Sequence, residues 1–545
     1  MSLRPALFLI PCLLISPDRL LQAQEHHGLP TSASEWLGQV EFPLSCNQAA
    51  QQLFERGLAL LHSFWWSEAG RTFAAVAEAD PTCAMAYWGT ALVHRGNWFA
   101  GAPGAESLRR GLAATQQGIA LGAPTARERE YLAAAGALFI DHQAADHRTR
   151  SLAYEDAMLR LHERYPDDAE AAVFYALALT SNALPGDKTF ERQLLAGAIL
   201  EARFQQHPDH PGVTHYLIHT YDAPPIAHLG VEAARRYEAI APSVPHAQHM
   251  PSHIFTRLGL WEESIRANAA SAASARAYEI AENMESVSFD RAHAWDYLVY
   301  AYLQLGRDRL ADEVLKQVQS ASASSSIATD YAFAAIPARI HLERDRWSDA
   351  AILPVRPSPG FPAGEAITHF ARGLGAARSG DAGAAQREVA ALADLRDQLA
   401  GRGESYWTQI VEAQRLTVDA WIRLSQESTS DALDLITRAA AIEERVDKHP
   451  VTPGPILSAR ELQGDMLLQL NRPLEALRAY EASLALDPKR ARALFYAARA
   501  AERVGQNDRA ADHYGTYLQL MRTADGDVSR REAASRFLAV HQTEP

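Results

Sequence analysis

The sequence predicts an all-α fold built from repeated helical hairpins, an α-solenoid. Three observations carry the prediction: small and aromatic residues recur at fixed spacing near both ends of the chain, strand patterns are nearly absent, and apolar residues make up 48% of 545 residues with alanine abundant.

The repeat is clearest where Gly57, Ala69, Phe73 and Pro81 occupy positions eight, twenty, twenty-four and thirty-two of one 34-residue unit. The tetratricopeptide pattern places Gly, Ala, an aromatic and Pro there. Gly464, Ala476, Tyr480 and Pro488 repeat that frame, and Ala510 and Tyr514 extend it by one unit. Between the ends the match is partial, at Gly306, Ala311 and Leu315, at Ala350, and at Gly373, Gly380 and Ala385. Small residues let paired helices approach, the aromatic fills the space between hairpins, and Pro marks a turn. A single hairpin cannot bury its apolar face alone, so a tetratricopeptide-like superhelix is expected.

Residues 1–24 read as a secretory signal, with Arg4, an apolar run from Ala6 to Ile15 and a polar segment ending at Ala23 and Gln24. The run is too short to span a bilayer. Export to the periplasm or medium is therefore expected, with no transmembrane anchor left after the signal is removed. Residues 25–320 are expected to form N-terminal repeats with a His-rich insert at 207–253, and residues 327–545 C-terminal repeats. The connector between them is the Ser-rich segment from Ala321 to Ser326; Val355 to Gly364 and the string HPVTPGP at His449 to Pro455 are further connectors. With 52 basic and 66 acidic residues the net charge is −14, which disfavours nucleic acid as a partner and leaves a protein or peptide as the expected one.

Beyond the signal only Cys46 and Cys83 remain, at the starts of two successive repeats. They either bridge or serve as small buried thiols.

Eight of the 21 histidines fall between His207 and His253. Pro211 can open a helix, and a helix from Gly212 to Asp222 puts His215, His219 and Asp222 on one face. Two imidazoles and a carboxylate can meet one transition metal, Zn, Fe or Cu. The string from His215 to His219 has no Glu after its first His, which excludes the HExxH metalloprotease arrangement. His246, His249 and His253 form a second group, in which Pro251 either starts a helix or kinks one. His293 and Asp296 are reserves from the next hairpin, and His449 and Glu461 could face the same cavity. For each residue the plain alternative is a hydrogen-bonded core or turn position. Trp65, Trp66, His94 and Trp98 read as aromatic packing, with the lining of a groove as the alternative.

At FERGLALLHSFWWSEAGRTFAAVAEADPTCAMAYWG, THYLIHTYDAP, PHAQHMPSHIFTRLGLW, AFAAIPARIHLERDRW and KHPVTPGPILSARELQGDMLL the chain resembles a family of bacterial tetratricopeptide-repeat proteins, many with export signals. The resemblance spans about residues 42–520, and HMPSHIF and KHPVTPGP are its specific strings. It implies the helical-repeat fold and no particular reaction. Members often carry His where Trp66 stands and Glu where Asp222 stands; the first difference argues against a ligand at Trp66, and the second keeps a carboxylate. Two functions from different classes remain open: a scaffold that holds a peptide or protein in its groove, expected by default for a solenoid, and a metal-binding protein or metal-dependent enzyme.

Overall fold

Every regular element in the computed structural model is a helix across the residues it describes, 36–446 and 448–541, apart from one isolated bridge between Val287 and Ala323. The expected signal at 1–24 lies outside the described residues. No described helix is long and apolar enough to cross a membrane.

The repeat pattern has a direct steric basis. Helices Gln48–His62 and Trp66–Ala79 form the first hairpin, and Phe73 of its second helix lies between Gly57 of the first helix and Gly89 of the following one, Met85–Arg95. A methyl group at Gly57 would lie 3.0 Å from the Phe73 ring, and one at Gly89 only 2.3 Å away. Gly464 stands in the same relation to Tyr480, at 2.6 Å, and Gly111 to Phe139, at 2.2 Å. The aromatic thus locks hairpins together, and it can do so only where the facing helix has no side chain. The lead-in before the first helix is pinned as well: Ser45 donates its N–H and hydroxyl to Glu128, whose helix Ala126–Ala137 opens with a Thr125 capping box. Cys46 and Cys83 are joined in a disulfide with Cα atoms 5.2 Å apart.

Prolines reorganise the array between 207 and 257. Pro211, Pro245 and Pro251 each occupy a first-turn position, where their missing N–H costs nothing, and start the helices Pro211–Tyr221, Pro245–His249 and Pro251–Arg257. Between them runs Val231–Ile240, and two long helices follow, Trp261–Ala281 and Phe289–Gln304. Pro251 therefore starts a helix, and His249 ends the one before it.

The later repeats fold back onto these long helices, and residues from Leu37 onward cluster as one compact unit that runs through the connector at 321–326. The strap HPVTPGP carries much of this contact. Tyr297 donates its hydroxyl to the Thr452 carbonyl (3.0 Å), and the buried Arg339 guanidinium donates to the carbonyls of Gly454 (2.9 Å) and Pro455 (2.7 Å). Arg490 reaches the Tyr300 hydroxyl at 2.8 Å.

Candidate metal centre

The short helices bring six histidines together in two groups of three. His215, His219 and His246 form one and His249, His253 and His293 the other, with the potential ligand atoms in each group within 4.8 Å of one another. His215 and His219 project from one face of Pro211–Tyr221, one turn apart; His246 and His249 come from the short helix Pro245–His249, His253 from the next, and His293 from Phe289–Gln304.

Hydrogen bonds fix which nitrogen of three rings carries the proton. His215 donates from Nδ1 to the backbone carbonyl of His62 (2.5 Å), His253 from Nδ1 to Asp222 Oδ2 (2.8 Å), and His249 from Nδ1 to Asn268 Oδ1 (2.6 Å). The Asn268 amide is itself oriented, because its Nδ2 donates to the Ser264 carbonyl at 2.7 Å. Each of these rings is left with a lone pair on Nε2, in the way metal-bound histidines are held by a carbonyl or carboxylate behind them. Nε2 of His249 lies 2.9 Å from Nε2 of His253, lone pair facing lone pair. Nε2 of His215, His219 and His246 and Nδ1 of His293 are buried with no hydrogen-bond partner among the described residues.

Burial keeps the rings neutral. It pulls His215 down to about 3 and holds His219, His246, His249 and His293 well below the usual histidine value, with the neighbouring imidazoles adding to the effect. Burial also lowers His253, against the attraction of Asp222. Unpartnered neutral imidazoles are costly in a core and are the form that binds a metal.

Aromatic rings wall both groups. Phe64, held in the left-handed backbone region at φ 56° in the first hairpin turn, places its ring 4.5 Å from His215 and 5.4 Å from His246, and Phe99 stacks on His219 at 4.1 Å. Tyr297 packs against His249 and His253 at 4.7 and 5.3 Å. Trp66 stacks on Phe64 at 4.7 Å rather than reaching the histidines.

The carboxylates sit elsewhere than the spacing implied. Asp222 follows the last helical residue, Tyr221, and lies behind His253 as its acceptor while also binding Arg257 (2.8 Å) and Lys448 (2.9 Å). Burial opposes its ionisation, yet Lys448, Arg257 and His253 together hold its carboxyl well below the usual range. It accepts from His253 and lies outside both groups of three. Asp296 pairs with Arg339 (2.9 Å), and Glu461 with Arg490 (2.5 Å) in a buried network with Glu343; neither joins a histidine group. His449 packs against Trp407 at 5.1 Å and accepts the Val451 N–H on Nδ1.

A third cluster, made of His62, Glu170 and His210, was not legible from spacing. Here both carboxylate oxygens accept from the rings, at 2.9 and 2.8 Å, Tyr216 donates to His62 Nδ1 (3.0 Å), and the Val213 N–H caps onto His210 Nδ1 (3.2 Å). Every ring nitrogen has a partner, so this cluster is a closed structural network. It supports the open ones, since His62 supplies the carbonyl that fixes His215.

A cavity of about 350 Å³ lies beside the site, between earlier and later repeats. Phe190, Tyr406, Trp407 and Ile410 give it an apolar wall, and Arg257 and Lys448, the two cations on Asp222, form another side.

The chain is a tetratricopeptide-like helical-repeat protein. No protein-family model and no curated protein matches it. Among solved structures it is similar to the human IFIT1 dimer with m7Gppp-AAAA, at 12% identity over 80% of this chain and 90% of that one, with a TM-score of 0.36. It is similar also to Cut9 with Hcn1 from the APC/C, at 10% identity, 90% and 84% coverage and a TM-score of 0.32. Yeast Tom70 gives 11% identity, 91% and 98% coverage and a TM-score of 0.28.

Proposed function

We propose that this protein is an exported, bacterial-type metalloprotein whose helical repeats serve as the frame for a transition-metal centre at His215, His219, His246, His249, His253 and His293. One observation carries the reading: Nε2 of His249 and Nε2 of His253 face each other at 2.9 Å while Asn268 and Asp222 occupy both Nδ1 protons. Two lone pairs at that distance repel unless a cation lies between or beside them. Neighbouring nitrogens around one ion bound at about 2.0–2.1 Å are spaced by roughly 3 Å or slightly more. Three protein donors also leave an ion with an open position, as catalytic sites require. The Cys46–Cys83 cross-link supports an oxidising compartment, and with it export.

The test is elemental analysis of protein produced without a His tag. Metal in stoichiometric amount, reduced in His253→Ala, supports the reading; wild-type protein that neither carries metal nor takes it up rejects it.

A second reading, a peptide or small-ligand scaffold, rests on the cavity beside Arg257 and Lys448, whose volume falls in the range of ligand pockets. The two are compatible, because the same cations brace Asp222 behind His253. Loss of peptide or ligand capture on Trp407→Ala, with metal content unchanged, would assign the cavity that role.

A further inference from the structure

We propose that the two histidine groups hold two copper ions as one coupled centre, and that its ligand is dioxygen. This rests on the metal reading above and makes it specific in number, element and ligand.

Number comes from the continuity of the cluster. Within the groups, ring centroids are separated by 4.2 to 6.1 Å. Between the groups the separations are no larger in kind: His219 to His253 is 5.9 Å and His246 to His249 is 6.3 Å. The two groups are therefore contiguous, and ions held by them would be neighbours. Each group also supplies three nitrogens, a complete protein set for one ion with a position left open.

The element follows from charge. Neither group includes a carboxylate; of the carboxylates behind the rings, Asp222 is already bound by Arg257 and Lys448, and Asp290 stands 4.0 Å from Nδ1 of His246, outside hydrogen-bond distance. Two divalent ions would place four positive charges among neutral rings of which four are buried, whereas two copper(I) ions place two. Copper(I) accepts three imidazole nitrogens without a fourth ligand, and copper(II) stands at the top of the affinity order for nitrogen sites. Both oxidation states therefore suit the same donors.

The ligand class follows from space and chemistry. His215 is fully buried, His249 and His253 are 1% exposed, and His293 is 5% exposed, while His219 and His246 are partly exposed. Phe64, Phe99 and Tyr297 close over the rings. With four of the six rings sealed and the partly exposed His219 and His246 covered by Phe99 and Phe64, the site admits a diatomic molecule more readily than an organic substrate. Two copper(I) ions give one electron each to dioxygen, which takes up the pair and becomes a bridging two-electron-reduced ligand; both ions become copper(II), no proton is required, and the reverse transfer releases dioxygen.

The experiment is anaerobic loading of the untagged wild-type chain with copper(I), removal of excess metal, and exposure to oxygen. The expected result is two copper ions per chain and, after oxygen, oxidised copper that gives almost no electron paramagnetic resonance signal because the paired spins cancel. His246→Ala, which opens one group only, should retain one copper per chain and show the signal of an isolated copper(II). One copper per chain in the wild type, or a full signal from two independent ions, overturns the coupled centre and leaves the metal reading intact. Binding of zinc with exclusion of copper does the same. A wild-type chain that binds neither metal overturns both.

Discussion

Asp222 lies 2.8 Å from Nδ1 of His253, on the side of the ring away from His249. Its role is to hold the proton on Nδ1, and so to keep the His253 Nε2 lone pair turned into the cluster. Asp222→Asn keeps the size and removes the buried charge that Arg257, Lys448 and His253 all contact. The expected cost is about 3–5 kcal/mol of stability, with metal affinity reduced roughly 10–100-fold. Urea unfolding and chelator competition measure the two effects; an unchanged chelator titration would contradict the role given to Asp222.

Gly212 tests how closely the helix carrying His215 and His219 is seated. A methyl group there would lie 2.4 Å from Nδ1 of His62, the residue whose carbonyl fixes His215. Gly212→Ala should therefore destabilise the fold by about 1–3 kcal/mol through overpacking and also weaken metal binding. Thermal unfolding and metal titration of the variant check this; wild-type values in both would mean the helix has slack.

The disulfide closes a loop of sequence separation 37 between successive repeats. Its removal in Cys46→Ala/Cys83→Ala should lower stability by about 4 kcal/mol in the chain-entropy account, and leave metal content alone because the cross-link lies at another end of the hairpins. Denaturant midpoints with equal slopes would show the effect. A midpoint equal to wild type would contradict it.

Glu443 gives a pH signature away from the histidines. Burial, with Glu444, Asp487 and Glu461 nearby, pushes its carboxyl up to about 8, whereas in the unfolded chain it titrates near the usual value of about 4.3. Between those values the folded protein keeps a proton that the unfolded chain has lost. Stability is then full below about pH 4.3 and declines as pH rises toward 8. Glu443→Gln should match wild type near pH 5 and be the more stable at pH 8 and above, measured by unfolding across that range. Parallel curves would contradict the shift.

How much of this was legible in the sequence depended on distance along the chain. The repeat could be read because Gly57 and Phe73, or Gly464 and Tyr480, are locked partners within one hairpin. His215 and His219 could be paired because one helical turn separates them. Asp222 was misplaced by one residue's worth of helix: the helix ends at Tyr221, so the carboxylate leaves the His215 face and turns to His253. Asp296 and Glu461 were drawn away by Arg339 and Arg490, partners 43 and 29 residues distant. The closed network of His62, Glu170 and His210 and the Phe64 and Phe99 walls are likewise products of tertiary packing, with no local spacing to announce them.

The most direct test of the central claim is the metal content of the untagged, full-length chain beside that of His215→Ala and His253→Ala, with helical content followed by circular dichroism. The account predicts stoichiometric transition metal in the wild type and clearly less in each variant, where one group of three is opened and the other left whole, with helical content largely kept. A wild-type chain that takes up no metal, or variants that hold as much as the wild type, would contradict it.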